Sequence, residues 1–285
     1  MSEDNKTLPF KRTVLDYDDI SKLAPFFQGK EKLVNTLLHW LKVDRANDFH
    51  SRNINCSGPE FSHNLIYEEL SAKVDIRNEQ VLENLPDGPF ITVSNHPFGA
   101  IDGVALIDIV GSHRPDFKVM VNMILNNIGA LRSSFIAVDA LASDDPAKRA
   151  VSVKGITDAL RHVKQGHPLG FFPAGAVSKL TWGMRIQDRA WQPSVIRIIQ
   201  KLKVPVIPIY FHGHNSWKFV ALGMIDWRLR TLRLPGEVFN KQNTTFRVSV
   251  GNIISPEEQA RYSTPEELGA FLKQQTYNLK KWNDR

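Results

Sequence analysis

The chain lacks most features that would assign a class at a glance. It has a single cysteine, Cys56, which excludes an internal disulfide and fits a reducing compartment. Its first residues, MSEDNKTLPFKR, are polar and contain no apolar core of a secretory signal. No apolar run approaches the ~18 residues needed to span a bilayer. The expectation is therefore a soluble or peripheral protein. Glycines are present but form neither Gly-x-Gly-x-x-Gly nor Walker A, so no nucleotide fold is indicated. There is no Gly-x-Ser-x-Gly elbow, and Cys56 is remote from the motifs described below, which leaves a nucleophilic protein residue unsupported. Zinc-finger, RRM and basic-zipper patterns are all missing, so nucleic acid is not an expected partner.

What is present is an excess of cationic charge, +6 formally. It favours an anionic partner, and with nucleic acid set aside the choices are a membrane surface or a phosphorylated cofactor. A solubilising surface bias explains the same number. Residues 18–42 repeat leucines at helical spacing (Leu33, Leu37, Leu38, Leu41) and add Phe26, Phe27 and Trp40. They form a helical region that either packs on the core or lies on lipid. A second helix is expected over residues 59–73, followed by a polar linker. Short apolar, β-branched runs then appear at 89–94, Lys118–Val121, Phe135–Val138, Leu169–Phe172, Val204–Phe211 and Phe246–Ile253. Helical patterns at 102–111, 147–164, 194–202 and from Thr264 separate most of them. Ser255-Pro-Glu-Glu and Thr264-Pro-Glu-Glu read as capping boxes with proline at the first helical position. Strands alternating with helices predict an α/β fold: a mixed, mainly parallel sheet flanked by helices. Residues 1–80 form an N-terminal helical segment, and residues 81–285 form one α/β unit.

Two turns carry candidate chemistry. Asn95-His96-Pro97-Phe98-Gly99-Ala100-Ile101-Asp102-Gly103 follows one expected strand and precedes a helix, at the edge of an α/β sheet where ligands bind. A histidine there can take a proton from a hydroxyl, and a carboxylate on its other ring nitrogen fixes the tautomer. Phe172-Pro173-Ala174-Gly175-Ala176-Val177-Ser178 also leaves a strand. Its small residues admit a substrate close to the backbone, and free amides around Gly175 can bond an oxyanion. Lys179, Arg185 and Arg189 follow it, either to hold donor phosphates or a head-group carboxylate or as a solvated basic loop. Residues 216–241 interleave Trp217, Phe219, Leu222, Met224, Ile225 and Trp227 with Lys218, Arg228, Arg230 and Arg233. This pattern suits the headgroup layer of an anionic membrane, or equally elements that close the core. His212-Gly213-His214 lacks a nearby third ligand, which favours structural roles over zinc.

Taken together, Asn-His-Pro…Asp-Gly and the later Phe-Pro-x-Gly-x-x-Ser resemble the glycerolipid (lysophospholipid) acyltransferase superfamily. The closer likeness is to the bacterial hemolysin-like branch, which includes O-acyltransferases of ornithine- and glycine-lipid synthesis. It runs from about Gly88 to Gly251 and takes in Trp191-Gln192-Pro193, the strand 204–211 and Leu229-Arg230-Thr231-Leu232. The resemblance implies an N-terminal membrane-contact segment and a His96–Asp102 dyad without a covalent acyl-enzyme. It further implies no bound cofactor, an acyl carrier protein or coenzyme A thioester as co-substrate, and a lyso-lipid acceptor. Asn95, Gly99, Gly103, Asp139, Phe172, Pro173, Gly175, Ser178, Lys179 and Arg185 become candidate substrate-binding residues. The expected location is peripheral, on an anionic membrane surface at the cytoplasmic face of the inner membrane.

Three departures bear on the acceptor. Five residues separate His96 from Asp102 where the wider superfamily has one fewer. Alanines stand at 174 and 176, where the superfamily and the closer branch, respectively, have a glutamate. Asp139 follows the Phe-Ile strand where the superfamily has a phosphate-binding arginine, and a carboxylate there repels phosphate. These changes favour the hydroxyl of an N-(3-hydroxyacyl) amino acid lipid, glycine or ornithine, over lysophosphatidic acid. A catalytically degenerate membrane-binding protein is the rival of another class, motivated by the two missing glutamates and opposed by the retained His96, Asp102 and Gly103.

Overall fold

A computed structural model provides the fold and describes residues 11–138, 146–181, 185–225 and 227–281. The helices, in chain order, are α1 (Tyr17–Leu23), α2 (Glu31–Trp40), α3 (Val43–Arg52), α4 (Gly58–His63), α5 (Gln80–Glu83), α6 (Ala100–Gly111), α7 (Pro146–Lys164), α8 (Pro193–Leu202), α9 (Trp217–Ile225), α10 (Trp227–Leu232), α11 (Leu234–Phe239), α12 (Pro256–Gln259) and α13 (Pro265–Asn278). The strands are β1 (Lys73–Arg77), β2 (Ile91–Ser94), β3 (Lys118–Asn122), β4 (Phe135–Val138), β5 (Leu169–Phe171), β6 (Lys179–Thr181), β7 (Arg185–Gln187), β8 (Val206–His212) and β9 (Thr245–Val250).

Among the described residues seven strands form one sheet in the order β1-β9-β8-β2-β5-β3-β4. β8, β2, β5, β3 and β4 run parallel; β9 is antiparallel to β8, and β1 is parallel to β9. The sheet is thus mixed and mainly parallel, flanked by helices, as the alternation of patterns predicts. β2 is buried along its whole length, as a central parallel strand covered on both faces must be. Its alternate side chains face different layers. Ile91 and Val93 join Ala159 and Val163 of α7, Ile196 and Ile199 of α8, and Leu268 and Leu272 of α13. The opposite layer contains Phe61 of α4, most of α6, Phe117, Val119 and Ile207. α6 is buried on nearly every side, which explains why its sequence is apolar all round rather than striped.

Several expectations change in detail. The helical region 18–42 breaks into α1, a 3₁₀ turn at Pro25–Phe27 and α2, because Pro25 opens a new turn and Gly29 takes φ +76°. The second helix begins as α4 and continues as a π-helical stretch, Asn64–Glu69. It stops before Lys73, and the expected polar linker contains β1. β1 is an edge strand whose Lys73, Asp75 and Arg77 are exposed, so only Val74 and Ile76 hinted at it. It falls within the N-terminal segment yet joins the main sheet, and Phe49, Phe61, Leu65, Ile66 and Leu70 of that segment share the larger core. The β6–β7 hairpin was not foreseen. The Thr264 capping box forms in full, whereas Ser255 only accepts a bond from the Glu258 amide. No helix of the described residues is long and apolar enough to cross a membrane.

Candidate active site

The two chemical turns leave the carboxyl ends of neighbouring parallel strands. Val93 of β2 is paired with Phe171 of β5, so His96 and Phe172 emerge side by side. Their rings lie 4.3 Å apart at a tilt of 33°. This is the sheet edge at which α/β folds bind ligands.

His96 Nδ1 lies 3.0 Å from Asp102 Oδ2, with 18% of the His96 side chain exposed and none of Asp102. Nδ1 is buried and has no other partner, and the ring is tilted away from a linear hydrogen bond. Nε2 has no hydrogen-bond partner among the described residues, which makes it the ring nitrogen available to a substrate. Asp102 sits in the first turn of α6, and its Oδ2 also accepts the amides of Phe98 and Gly99, each at 2.9 Å. This is the carboxylate half of a helix cap, favoured by the helix dipole. The longer His–Asp spacing works because Gly99 takes φ +87° and folds the loop back over the helix start. Burial pushes the Asp102 carboxyl up, against the pull of His96 and the two amides. The arrangement favours proton transfer to Nε2, since the imidazolium so formed faces a carboxylate already in place.

The loop is anchored on both sides. Asn95 donates to the Phe211 carbonyl at 2.9 Å and accepts the Phe211 amide at 2.7 Å. It ties the end of β2 to β8 and is buried, which makes it a positioning residue rather than a substrate contact. Asp188, buried at 5% exposure, accepts the His96 amide at 3.1 Å and the Ser178 hydroxyl at 2.6 Å on one oxygen. Its other oxygen takes the Trp191 indole at 3.4 Å. The Ser178 amide donates to the His96 carbonyl at 2.8 Å. Asp188 therefore clamps the two turns together. The sequence reading missed it; the only hint was its position three residues before Trp191-Gln192-Pro193.

The remaining expected site residues divide by role. Gly103 lies beneath the Phe172 ring, so that an added Cβ would just touch it at 4.0 Å. Gly99 is packed between Leu234 and Val177 and shapes the loop. The Gly175 amide donates to the Phe172 carbonyl at 2.9 Å, and the Pro173 carbonyl accepts from Gln192 at 2.8 Å. Gly175 itself is thus committed to the turn and is not an open oxyanion donor. Lys179 and Arg185 are exposed on the β6–β7 hairpin. Asp139 lies outside the described residues. His212 and His214 do not act together: His212 Nε2 meets the Ser249 hydroxyl at 2.9 Å, and His214 Nδ1 meets the Asn215 carbonyl at 2.6 Å.

A second unforeseen contributor is Lys241. Its ammonium lies 4.2 Å above the Phe98 ring and donates to the His214 carbonyl at 3.1 Å. Burial pushes it below its ordinary value, against the attraction of Glu237 and Asp102. It places a positive charge behind the Asp102 loop.

Comparisons with known proteins bear on the family and the fold. Residues 59–285 match the family described as acyltransferase. A lyso-glycine lipid O-acyltransferase of Phocaeicola vulgatus is 30% identical over 92% of this chain and 94% of its own. The protein of the same name from Bacteroides thetaiotaomicron is 30% identical over 87% of this chain and 89% of its own. Among solved structures, the 1-acyl-sn-glycerophosphate acyltransferase PlsC of Thermotoga maritima superposes with a TM-score of 0.51 at 15% identity, covering 95% of this chain and 96% of that one. At that identity the likeness concerns the fold alone.

Proposed function

This chain belongs to the acyltransferase family and is an O-acyltransferase, and from that premise we propose that it acylates the hydroxyl of an N-(3-hydroxyacyl) amino acid lipid, glycine or ornithine, using a thioester of acyl carrier protein or coenzyme A. The observation that carries the reading is the His96–Asp102 pair at 3.0 Å, with Asp102 fully buried and the imidazole partly exposed. A base faced by a buried carboxylate, with the neighbouring Ser178 hydroxyl donating to Asp188 at 2.6 Å instead of to the imidazole, suits direct attack by an acceptor hydroxyl. In the proposed reaction His96 Nε2 removes the hydroxyl proton as the oxygen attacks the thioester carbonyl. The C–S bond of the tetrahedral adduct then breaks, and the proton passes from His96 to the departing thiolate. Asp102 stabilises the imidazolium in between. The amides of Ala176 and Val177 take no part in the turn bonds made by Gly175 and Ser178, and they are the candidate oxyanion donors.

The choice of acceptor rests on the relatives' names and on three residues. Ala174 and Ala176 replace acidic residues, and Asp139 replaces a cation suited to phosphate. Because the acceptor is a lipid, the reading has the enzyme peripheral on an anionic membrane, at the cytoplasmic face of the inner membrane. Exposed Trp217, Met224, Ile225 and Leu232, close in sequence to Lys218, Arg228 and Arg233, support that contact. The test is acyl transfer by purified protein in mixed micelles. Both thioester classes are offered with N-(3-hydroxyacyl)glycine, its ornithine counterpart and lysophosphatidic acid, to wild type and His96→Ala. His96-dependent acylation of an amino acid lipid is expected. Dominant acylation of lysophosphatidic acid overturns the acceptor assignment, and activity undiminished in His96→Ala overturns the base.

A further inference from the structure

Arg230 is the most unusual charge near the site. It lies on α10 and is only 8% exposed. Its guanidinium crosses α9, where Gly223 leaves the room: an added Cβ there would come within 2.6 Å of Arg230 Cδ. The flat face of Arg230 lies 5.5 Å from the Phe219 ring. Nη1 donates to the Ser178 carbonyl at 3.3 Å. Ser178 in turn donates its amide to the His96 carbonyl, so Arg230 is one residue removed from the base.

No carboxylate among the described residues pairs with it; its partners are the Ser178 carbonyl and the Phe219 ring. A buried cation without a counter-ion is costly, and it persists where something else meets the charge. Burial, and after it the charge of a second cation, Arg189, pushes Arg230 below its ordinary value. Among the described residues neither Nε nor Nη2 has a hydrogen-bond partner, and neither is a fully buried unpartnered atom. A guanidinium that lies over an aromatic ring, has donors that no described residue takes up and is hydrogen-bonded to the turn beside His96 is suited to receive a planar anion.

We propose that Arg230 is the specificity residue of the acceptor site and binds the head-group carboxylate of the N-acyl amino acid lipid while His96 takes its hydroxyl proton. The inference rests on the acceptor reading above and deepens it.

The test compares N-(3-hydroxyacyl)glycine with its methyl ester, which keeps the hydroxyl but removes the charge. Wild type should show a KM for the acid at least about tenfold lower than for the ester, the difference expected of one charge-assisted pair. In Arg230→Gln that preference should vanish through the acid's KM, with the thioester's KM unchanged. Arg230→Lys should keep part of it, because the charge remains but the fork is lost. A wild type that turns over both acceptors equally well overturns the proposal without any variant having to fold. A variant whose thioester KM rises instead assigns Arg230 to donor phosphate and overturns it too. An equal loss on acid and ester reduces Arg230 to holding Ser178. If wild type acylates no amino acid lipid, the acceptor reading itself has failed. Calorimetric titration with an N-acylglycine lacking the hydroxyl, against its methyl ester, then still tests the carboxylate site: Arg230-dependent binding of the acid alone supports it, and equal or absent binding overturns it.

Discussion

In the proposed reaction His96 can act as base only while Asp102 faces Nδ1 and the loop holds both. His96→Ala should lower kcat for acyl transfer by at least ~10²-fold, with the thioester's KM little changed, measured by steady-state kinetics in micelles. Retention of wild-type kcat would remove His96 from the mechanism. Asp188 acts one step away, through the His96 amide and the Ser178 hydroxyl. Asp188→Asn should cost on the order of ten- to a hundredfold in kcat, because a small misplacement of a base is expensive. The same variant should remain folded, since Asn keeps an oxygen for the shortest of these bonds. A kcat equal to that of wild type would mean that the clamp is merely structural.

Among the elements, the start of α6 decides the geometry. Gly99 combines φ +87° with an approach that would put an added Cβ 2.8 Å from Leu234 and 3.0 Å from Val177. Gly99→Ala should therefore destabilise the fold by about 1–3 kcal/mol, read as a lower denaturation midpoint, and it should depress activity even where the protein is folded. An unchanged midpoint would show that the loop adapts. Thr264→Ala at the cap of α13 is the matched control. It should cost about 1 kcal/mol with kcat intact, because Thr264 caps the end of α13 opposite to Tyr277, the residue of that helix whose hydroxyl accepts the Asp188 amide at 3.2 Å.

The molecule as a whole should carry a pH signature from two part-buried histidines. Burial lowers His162 and His212 to about 4 from the ordinary 6.5. Above pH 6.5 neither state binds the proton, so their contribution is complete. Between 6.5 and 4 the unfolded chain takes up protons that the folded one refuses, and stability falls as pH falls. Asp102, pushed up by burial, works in the opposite sense, so the clean comparison is with a variant. His162→Gln retains a donor for the Pro168 carbonyl, which His162 meets at 3.1 Å. Its thermal midpoint should gain on that of wild type as pH drops from 6.5 to 4. Parallel curves would refute the assignment. At the same scale, Met224→Glu with Ile225→Glu places charge on side chains 65% and 76% exposed. The pair should weaken sedimentation with anionic vesicles while sparing transfer to a micellar acceptor. Undiminished vesicle binding would put the membrane contact elsewhere.

The sequence by itself determined the sheet class, six of its strands and the His96–Asp102 pair, because each is encoded locally: apolar runs bounded by turns, and a histidine and an aspartate carried on one loop. It also placed Phe172 and Gly103 near the base. β1 escaped because an edge strand with alternate residues in water shows little apolar pattern. Asp188, Lys241 and the placement of Arg230 escaped for a different reason. Each gets its meaning from a partner distant in the chain: Asp188 from His96, Lys241 from Phe98, and Arg230 from Ser178. Asn95 shows the same limit from the other side, since it sits in the motif yet binds the backbone of β8. A motif names the candidate reacting groups because its residues are adjacent in the chain. Only the packed sheet decides what holds them and which charges are buried, because burial and distance between remote residues arise only on folding.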